Sequence, residues 1–277
     1  MILGIIFLLL SIALTSVFYY FTNLYEIWYY FFVPILCIPV FWLVCFLVYI
    51  LIILIISLCF PKKKEVPRPS KLWHFWIRET AFLLLLFFRV RVKVIGKECI
   101  DPKKQYLIVS NHLSMFDPIS IVTKLKLKHI VCVSKKENIK YPICGTFIYK
   151  AGYIFLDRED NHAAIHSIRK ATEYLANGWS SIYICPEGTR SKTGKLLPFH
   201  AGSFKIATKA ETDIIVCYIQ NTNHVMCRFP FRSTKVTLKI LRIIPKEEVV
   251  MKKTVELSSE VYEILKKEED KNELSTV

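Results

Sequence analysis

The stretch "QYLIVSNHLSMFDP", residues 105–118, settles how this chain is built. Tyr106 to Val109 is a continuous apolar run, too short for a core helix, and reads as a buried strand. Pro118 suits the first turn of a helix, where its missing N–H is not needed. A strand therefore hands over to a helix, and the turn between them carries Asn111, His112 and Asp117. In open α/β sheets ligands gather at the carboxyl ends of strands, so this turn is a favoured place for chemistry.

The same grammar recurs along the chain. "RVRVKVIG" (89–96) alternates charge and valine with period two, and "HIVCVS" (129–134) is another short apolar run. "YIFLD" (153–157), "SSIYIC" (180–185), "DIIVCYI" (213–219) and "KVTLKILRI" (235–243) supply further strands. Helical stretches fall between them at residues 118–127, about 141–150 and 161–177, the last closed by Asn177-Gly178. Residues from Val255 to about Glu269 read as an exposed charged helix followed by a frayed polar tail. Alternation of this kind predicts, for residues 89–277, an α/β domain with a largely parallel sheet flanked by helices.

A different chain precedes it. The first 60 residues hold no Lys, Arg or Asp and one acid, Glu26, so all 38 basic residues lie beyond them. A bilayer core needs about 20 apolar residues per crossing. Two crossings fit, Met1 to about Phe21 and a stretch within Phe31 to Phe60, with Asn23 to Ile27 as the turn of a transmembrane hairpin. A cleaved signal peptide would have a basic start and a small-residue cleavage site, which Met1 to Phe21 lacks. "PKKKEVPRPSK" (61–71) follows at once; a basic cluster there is expected to stay cytoplasmic and to favour anionic headgroups. Residues 72–88, "LWHFWIRETAFLLLLFF", read as a helix at the membrane interface, so 61–88 form a basic juxtamembrane segment.

The formal net charge is +15. No zinc-finger, RNP or basic-zipper signature accompanies it, so a membrane is the expected partner and nucleic acid is not. Nine scattered cysteines without a C-x-x-C pair predict reduced thiols, with neither a disulfide framework nor a zinc site. His162 and His166 lie four apart on one helix face but lack a third ligand, and are expected to be solvated.

His112 and Asp117 gain meaning as a pair. Asp117 before Pro118 could be a helix N-cap, and His112 a loop residue bonded to a carbonyl. An aspartate folded back onto one imidazole nitrogen would instead fix the tautomer and leave the other nitrogen to take a proton. No G-x-S-x-G elbow supplies a nucleophile, so the base would act on a substrate hydroxyl. "GYIFLDR" (152–158) and "PEGTRS" (186–191) each end a strand and carry an arginine into a loop. "CPEG" could be an ordinary turn, yet two guanidinium forks at strand ends would suit a phosphomonoester.

These motifs, in this order, resemble the glycerolipid acyltransferases typified by 1-acyl-glycerol-3-phosphate acyltransferase. N-H-x-x-x-x-D matches Asn111, His112 and Asp117; G-x-I-F-[IL]-D-R matches Gly152 to Arg158; F-P-E-G-T-R matches Pro186 to Arg190. "SKKENIKYPICG" and "GKLLPFHAGSF" agree as well, so that the resemblance covers roughly residues 90 to 220. Cys185 stands where the family usually has Phe, and "DIIVCYI" lacks the prolines of the fourth block. These departures bear on the shape of the acyl or acceptor pocket.

The resemblance implies His112 and Asp117 as the catalytic pair. It implies a glycerol-phosphate site drawn from Arg158, Glu187, Gly188, Thr189 and Arg190, with Asn111 and Lys135 beside it. The acceptor would be lysophosphatidic acid, acylated on its 2-hydroxyl by acyl-CoA or acyl carrier protein to give phosphatidic acid. No metal or cofactor beyond that co-substrate is implied. The protein is expected to be integral to the cell membrane, its catalytic domain cytoplasmic. Glycerol 3-phosphate or another lysophospholipid remains an alternative acceptor, and a thioesterase or a membrane-anchored lipid-binding protein an alternative use of the fold.

Overall fold

A computed structural model describes residues 2–24, 32–59, 66–141, 144–156 and 161–274. Arg158, the basic run Lys62 to Lys64 and most of the hairpin turn lie outside these residues.

Two apolar helices come first, α1 (Ile2–Phe21) and α2 (Val33–Cys59), both long and apolar enough to cross a membrane. Most of their surface is bare hydrocarbon, but one stripe is buried: Phe7 on α1 and Phe46, Tyr49 and Ile53 on α2. The stripe meets α3 (Lys71–Phe87). Phe46 stacks on Phe87 at 5.0 Å between ring centroids, and Tyr49 Oη and Thr80 Oγ1 share a hydrogen bond of 2.7 Å. Helix α3 is thus wedged between the hairpin and the sheet, where the sequence suggested an interfacial helix. Its Leu83 and Leu85 are buried while Leu72 and Leu86 face out. Beyond α3 the chain is also held to the domain upstream: Tyr174 Oη donates to the Val66 carbonyl at 3.0 Å, and Arg68 lies over the Trp179 ring. Gly152, at φ +86°, lets the Pro69 backbone come so close that a Cβ would sit 3.1 Å from it.

All seven expected strands form: β1 (Val90–Ile95), β2 (Leu107–Ser110), β3 (Ile130–Lys135), β4 (Ile154–Leu156), β5 (Ser181–Ile184), β6 (Ile214–Gln220) and β7 (Thr234–Ile244). They make one sheet in the order β1-β7-β6-β2-β5-β3-β4. Among the described residues only the β6–β7 pair is antiparallel, so the sheet is mixed but mostly parallel. β2, β5 and β6 are buried nearly throughout, as central strands covered on both faces must be.

Helices α4 (Phe116–Lys124), α5 (Cys144–Lys150), α6 (Asn161–Ala176), α7 (Lys205–Ala210) and α8 (Val225–Arg228) fill the connections, and α9 (Lys246–Met251) and α10 (Thr254–Leu274) follow the last strand. The last corrects the expectation of an exposed helix and a frayed tail. Leu257, Val261 and Leu265, four residues apart in turn, are fully buried in the core, and the helix runs on to Leu274. His162 and His166 lie on the exposed face of α6.

Candidate active site

Strand β2 ends at Ser110 and α4 begins at Phe116, so residues 111–115 form a tight turn at the carboxyl edge of the sheet. Asp117 lies inside the first turn of α4 and is not its N-cap. Ser114 Oγ accepts the Phe116 N–H at 3.0 Å instead, which frees the aspartate to fold back. Asp117 Oδ2 receives His112 Nδ1 at 2.8 Å, Leu113 N at 2.7 Å and Ser114 N at 2.8 Å. Its other oxygen, Oδ1, receives Thr222 Oγ1 at 2.5 Å. The carboxylate is fully buried, whereas the imidazole side chain keeps 22% of its surface exposed. With Nδ1 on the carboxylate, Nε2 is the ring atom left to exchange a proton with a substrate.

Burial works against a charged imidazole here. It is outweighed by the neighbouring Cys185 sulfur and by Asp117, which together bring His112 up to about 10. The sulfur belongs to a polar floor beneath the histidine. Tyr183 Oη lies 3.1 Å from Cys185 Sγ and 2.8 Å from Ser110 Oγ, and Ser110 donates to the Asn111 carbonyl at 2.8 Å. Burial pushes the Tyr183 phenol well above its ordinary value, so it stays a neutral donor.

Two residues expected at the substrate turn out to hold backbone. The Asn111 amide is 4% exposed and spans Ile219, accepting its N–H at 2.8 Å and donating to its carbonyl at 2.9 Å. This pair continues the β2–β6 ladder by one rung after β2 has turned away. Glu187 Oε1 accepts the His112 N–H at 2.7 Å and Oε2 the Leu197 N–H at 3.0 Å. Burial raises the Glu187 carboxyl to about 7, against the pull of those two amides and of His112.

The "CPEG" turn closes as its residues suggest, Gly188 N donating to the Cys185 carbonyl at 3.1 Å with Gly188 at φ +73°. Thr189 and Arg190 are exposed just beyond it, and Ser191 N donates to the His112 carbonyl at 2.9 Å. Arg190 is thereby placed one residue from a direct tie to the catalytic turn. Lys135 ends β3 on the same edge of the sheet, two strands from β2, and pairs with Glu137 at 3.1 Å. Thr222 was not foreseen: it lies 105 positions from Asp117, and no local pattern announces the contact.

The family model for the acyltransferase domain matches residues 91–220, from β1 to the end of β6. Residues 91–220 are thus similar to an acyltransferase domain. The chain is similar to 1-acyl-sn-glycerol-3-phosphate acyltransferase alpha of Ovis aries, 29% identical over 162 residues, 58% of this chain and 56% of that one. It is likewise similar to the 1-acyl-sn-glycerol-3-phosphate acyltransferase of Saccharomyces cerevisiae, 30% identical over 193 residues, 67% of this chain and 63% of the yeast protein. The chain therefore spans a little over half the length of these curated relatives. The crystal structure of the 1-acyl-sn-glycerophosphate (LPA) acyltransferase PlsC from Thermotoga maritima superposes with a TM-score of 0.59 at 27% identity, over 72% of this chain and 79% of that one. The chain thus shares its mostly parallel sheet and flanking helices with that structure, and both catalytic candidates, His112 and Asp117, fall inside the matched region.

Proposed function

We propose that the protein transfers an acyl group from a thioester to the 2-hydroxyl of lysophosphatidic acid, as a 1-acyl-sn-glycerol-3-phosphate acyltransferase. One observation carries the reading: His112 Nδ1 is fixed on the buried Asp117 at 2.8 Å, with the ring still exposed at the carboxyl edge of the sheet. In the transfer, His112 Nε2 takes the hydroxyl proton as the oxygen attacks the thioester carbonyl. The C–O bond forms, the C–S bond breaks, and the proton is available to the departing thiolate. A positioned base contributes about 10²–10⁴ in rate, and the rest falls to alignment and to donors facing the oxyanion. A thioester is already an activated acyl donor, so no cofactor is invoked.

In this reading Thr189, Arg190 and Arg158 receive the phosphate of the acceptor, while Lys135, on the same sheet edge, is a more distant candidate. Gly188 allows the close turn that presents Thr189 and Arg190. Asn111 and Glu187 act by shaping the turn that carries His112. The hairpin crosses the cell membrane and returns, with the catalytic domain on the cytoplasmic side. The acceptor and the product both live in the bilayer, so an anchored site spares them from leaving it.

The test is to supply the full chain in lipid nanodiscs with labelled acyl-CoA or acyl carrier protein and a panel of lysolipids and glycerol 3-phosphate. Labelled phosphatidic acid that vanishes in His112→Ala supports the reading. Free fatty acid as the main product, or transfer unchanged in His112→Ala, overturns it.

A further inference from the structure

The chain between β6 and β7 makes an unusual excursion. After Thr222, residues 226–232, "MCRFPFR", comprising the rest of the short helix α8 and the loop beyond it, pass over the end of α3. Phe229 turns inward, its ring centroid 5.2 Å from Phe87 and 4.9 Å from Phe88. Arg89 Nη1 donates to the Pro230 carbonyl at 2.9 Å and fixes the backbone of the loop. The consequence is a held loop whose large apolar side chains face out. Phe231 is 87% exposed and Met226 58%.

Arg228 and Arg232 are exposed on either side of that apolar tip. Beside it runs β1, the edge strand of the sheet, with Arg91 and Lys93 exposed. No acidic residue occurs from Leu86 to Lys97 or from Asn221 to Lys246. Among the described residues, no ion pair engages Arg91, Lys93, Arg228 or Arg232. An exposed phenylalanine and methionine ringed by unpaired cations has one solvent that satisfies both: the headgroup layer of an anionic bilayer. The position agrees. Phe87, which receives Phe229, also stacks on Phe46 of α2, so the loop lies beside the point where the apolar hairpin leaves the domain.

We propose that residues 226–232, with the exposed edge of β1, form a second membrane contact that rests on the anionic phosphate layer beside the hairpin. Phe231 and Met226 enter the headgroup region, and Arg228, Arg232, Arg91 and Lys93 meet lipid phosphates. The loop also begins four residues after Thr222, which holds Asp117. Seating the loop therefore sets the catalytic turn at the bilayer surface, a consequence that rests on the acyltransferase reading although the contact itself does not.

The experiment places a photoactivatable benzoylphenylalanine at Phe231, or as a control at Met251, in the full chain. Met251 is 85% exposed and ends α9, at the opposite end of the sheet from the β6–β7 loop. Both proteins are irradiated in nanodiscs of phosphatidylcholine alone or with phosphatidylglycerol added. Lipid adducts at 231 several-fold above those at 251, rising with phosphatidylglycerol and falling in R228Q/R232Q, are the expected result. Adduct yields at 231 no higher than at 251, or cross-links from 231 to a second copy of the chain in place of lipid, overturn the proposal. Adduct formation needs no turnover, so a failure of the transfer assay would leave this measurement intact.

Discussion

The backbone N–H of His112 donates to Glu187 Oε1 at 2.7 Å, across 75 positions of sequence. The glutamate of the third motif thus shapes the turn of the first, and its second oxygen reaches the Leu197 N–H in the loop beyond. One buried carboxyl group ties two loops at the carboxyl edge of the sheet and braces one of them internally.

That arrangement has a pH signature. Burial raises Glu187 from 4.5 to about 7, so the folded state binds its proton more tightly than the unfolded chain does. The resulting contribution to stability is full below pH 4.5 and is lost as the pH climbs through about 7. Glu187→Gln cannot titrate. Thermal unfolding between pH 4 and 8 should therefore show the wild type losing roughly 3 kcal/mol relative to the variant across that window. Parallel curves would show that Glu187 is not a raised, buried acid.

The base has a signature of its own. With His112 up at about 10, the unprotonated ring that acts as base is the minor form at neutral pH, and kcat/KM should climb about tenfold per pH unit on the acid side. Cys185→Ala removes the sulfur and should move this limb to lower pH. Asp117→Asn should move it the same way and also cost on the order of 10²–10⁴ in rate, because the imidazole loses its orienting charge. A limb that stays in place in Cys185→Ala would mean that the sulfur does not raise the ring.

Thr222 supports the dyad from β6's far side. Thr222→Val keeps the shape but leaves Asp117 Oδ1 without its 2.5 Å donor, a loss of about 1.5–3 kcal/mol in stability. Since Thr222 is buried against Asp117, kcat should fall with KM for both substrates nearly unchanged. Thr222→Ser, which restores the hydroxyl, should recover most of the rate. Failure of the serine variant to do so would assign the effect to packing.

Most of this was legible in the chain. Seven strands were readable because buried parallel strands are short apolar runs set off by turns, and the hairpin because 60 residues carry a single charge. The rest depends on contacts that residue types do not encode. For α10, a run of Glu and Lys hid the stripe of Leu257, Val261 and Leu265 that docks on the core. For α3, the aromatic run announced a surface-seeking helix but not its partner, and Trp76 and Phe87 pack on the hairpin. At the site, residue types pointed to chemistry but not to which side chains face a substrate. Asn111 and Glu187 spend their polar atoms on Ile219, His112 and Leu197 backbone, pairings across strands that no local spacing encodes.

Arg190 is the side chain on which the acceptor assignment can be tested most directly. It is exposed, it stands beside the Ser191 N–H that holds the His112 carbonyl, and no ion pair among the described residues engages it. A guanidinium there can meet a phosphate dianion through paired hydrogen bonds. Losing them costs about 1.5–3 kcal/mol, or roughly 10- to 100-fold in binding. Arg190→Ala should therefore raise KM for the lysolipid by that factor and leave KM for the thioester within about twofold. Arg190→Lys keeps the charge without the fork and should fall between the two. Steady-state kinetics with each substrate varied in turn decides it: equal rises in both KM values would remove Arg190 from the phosphate site.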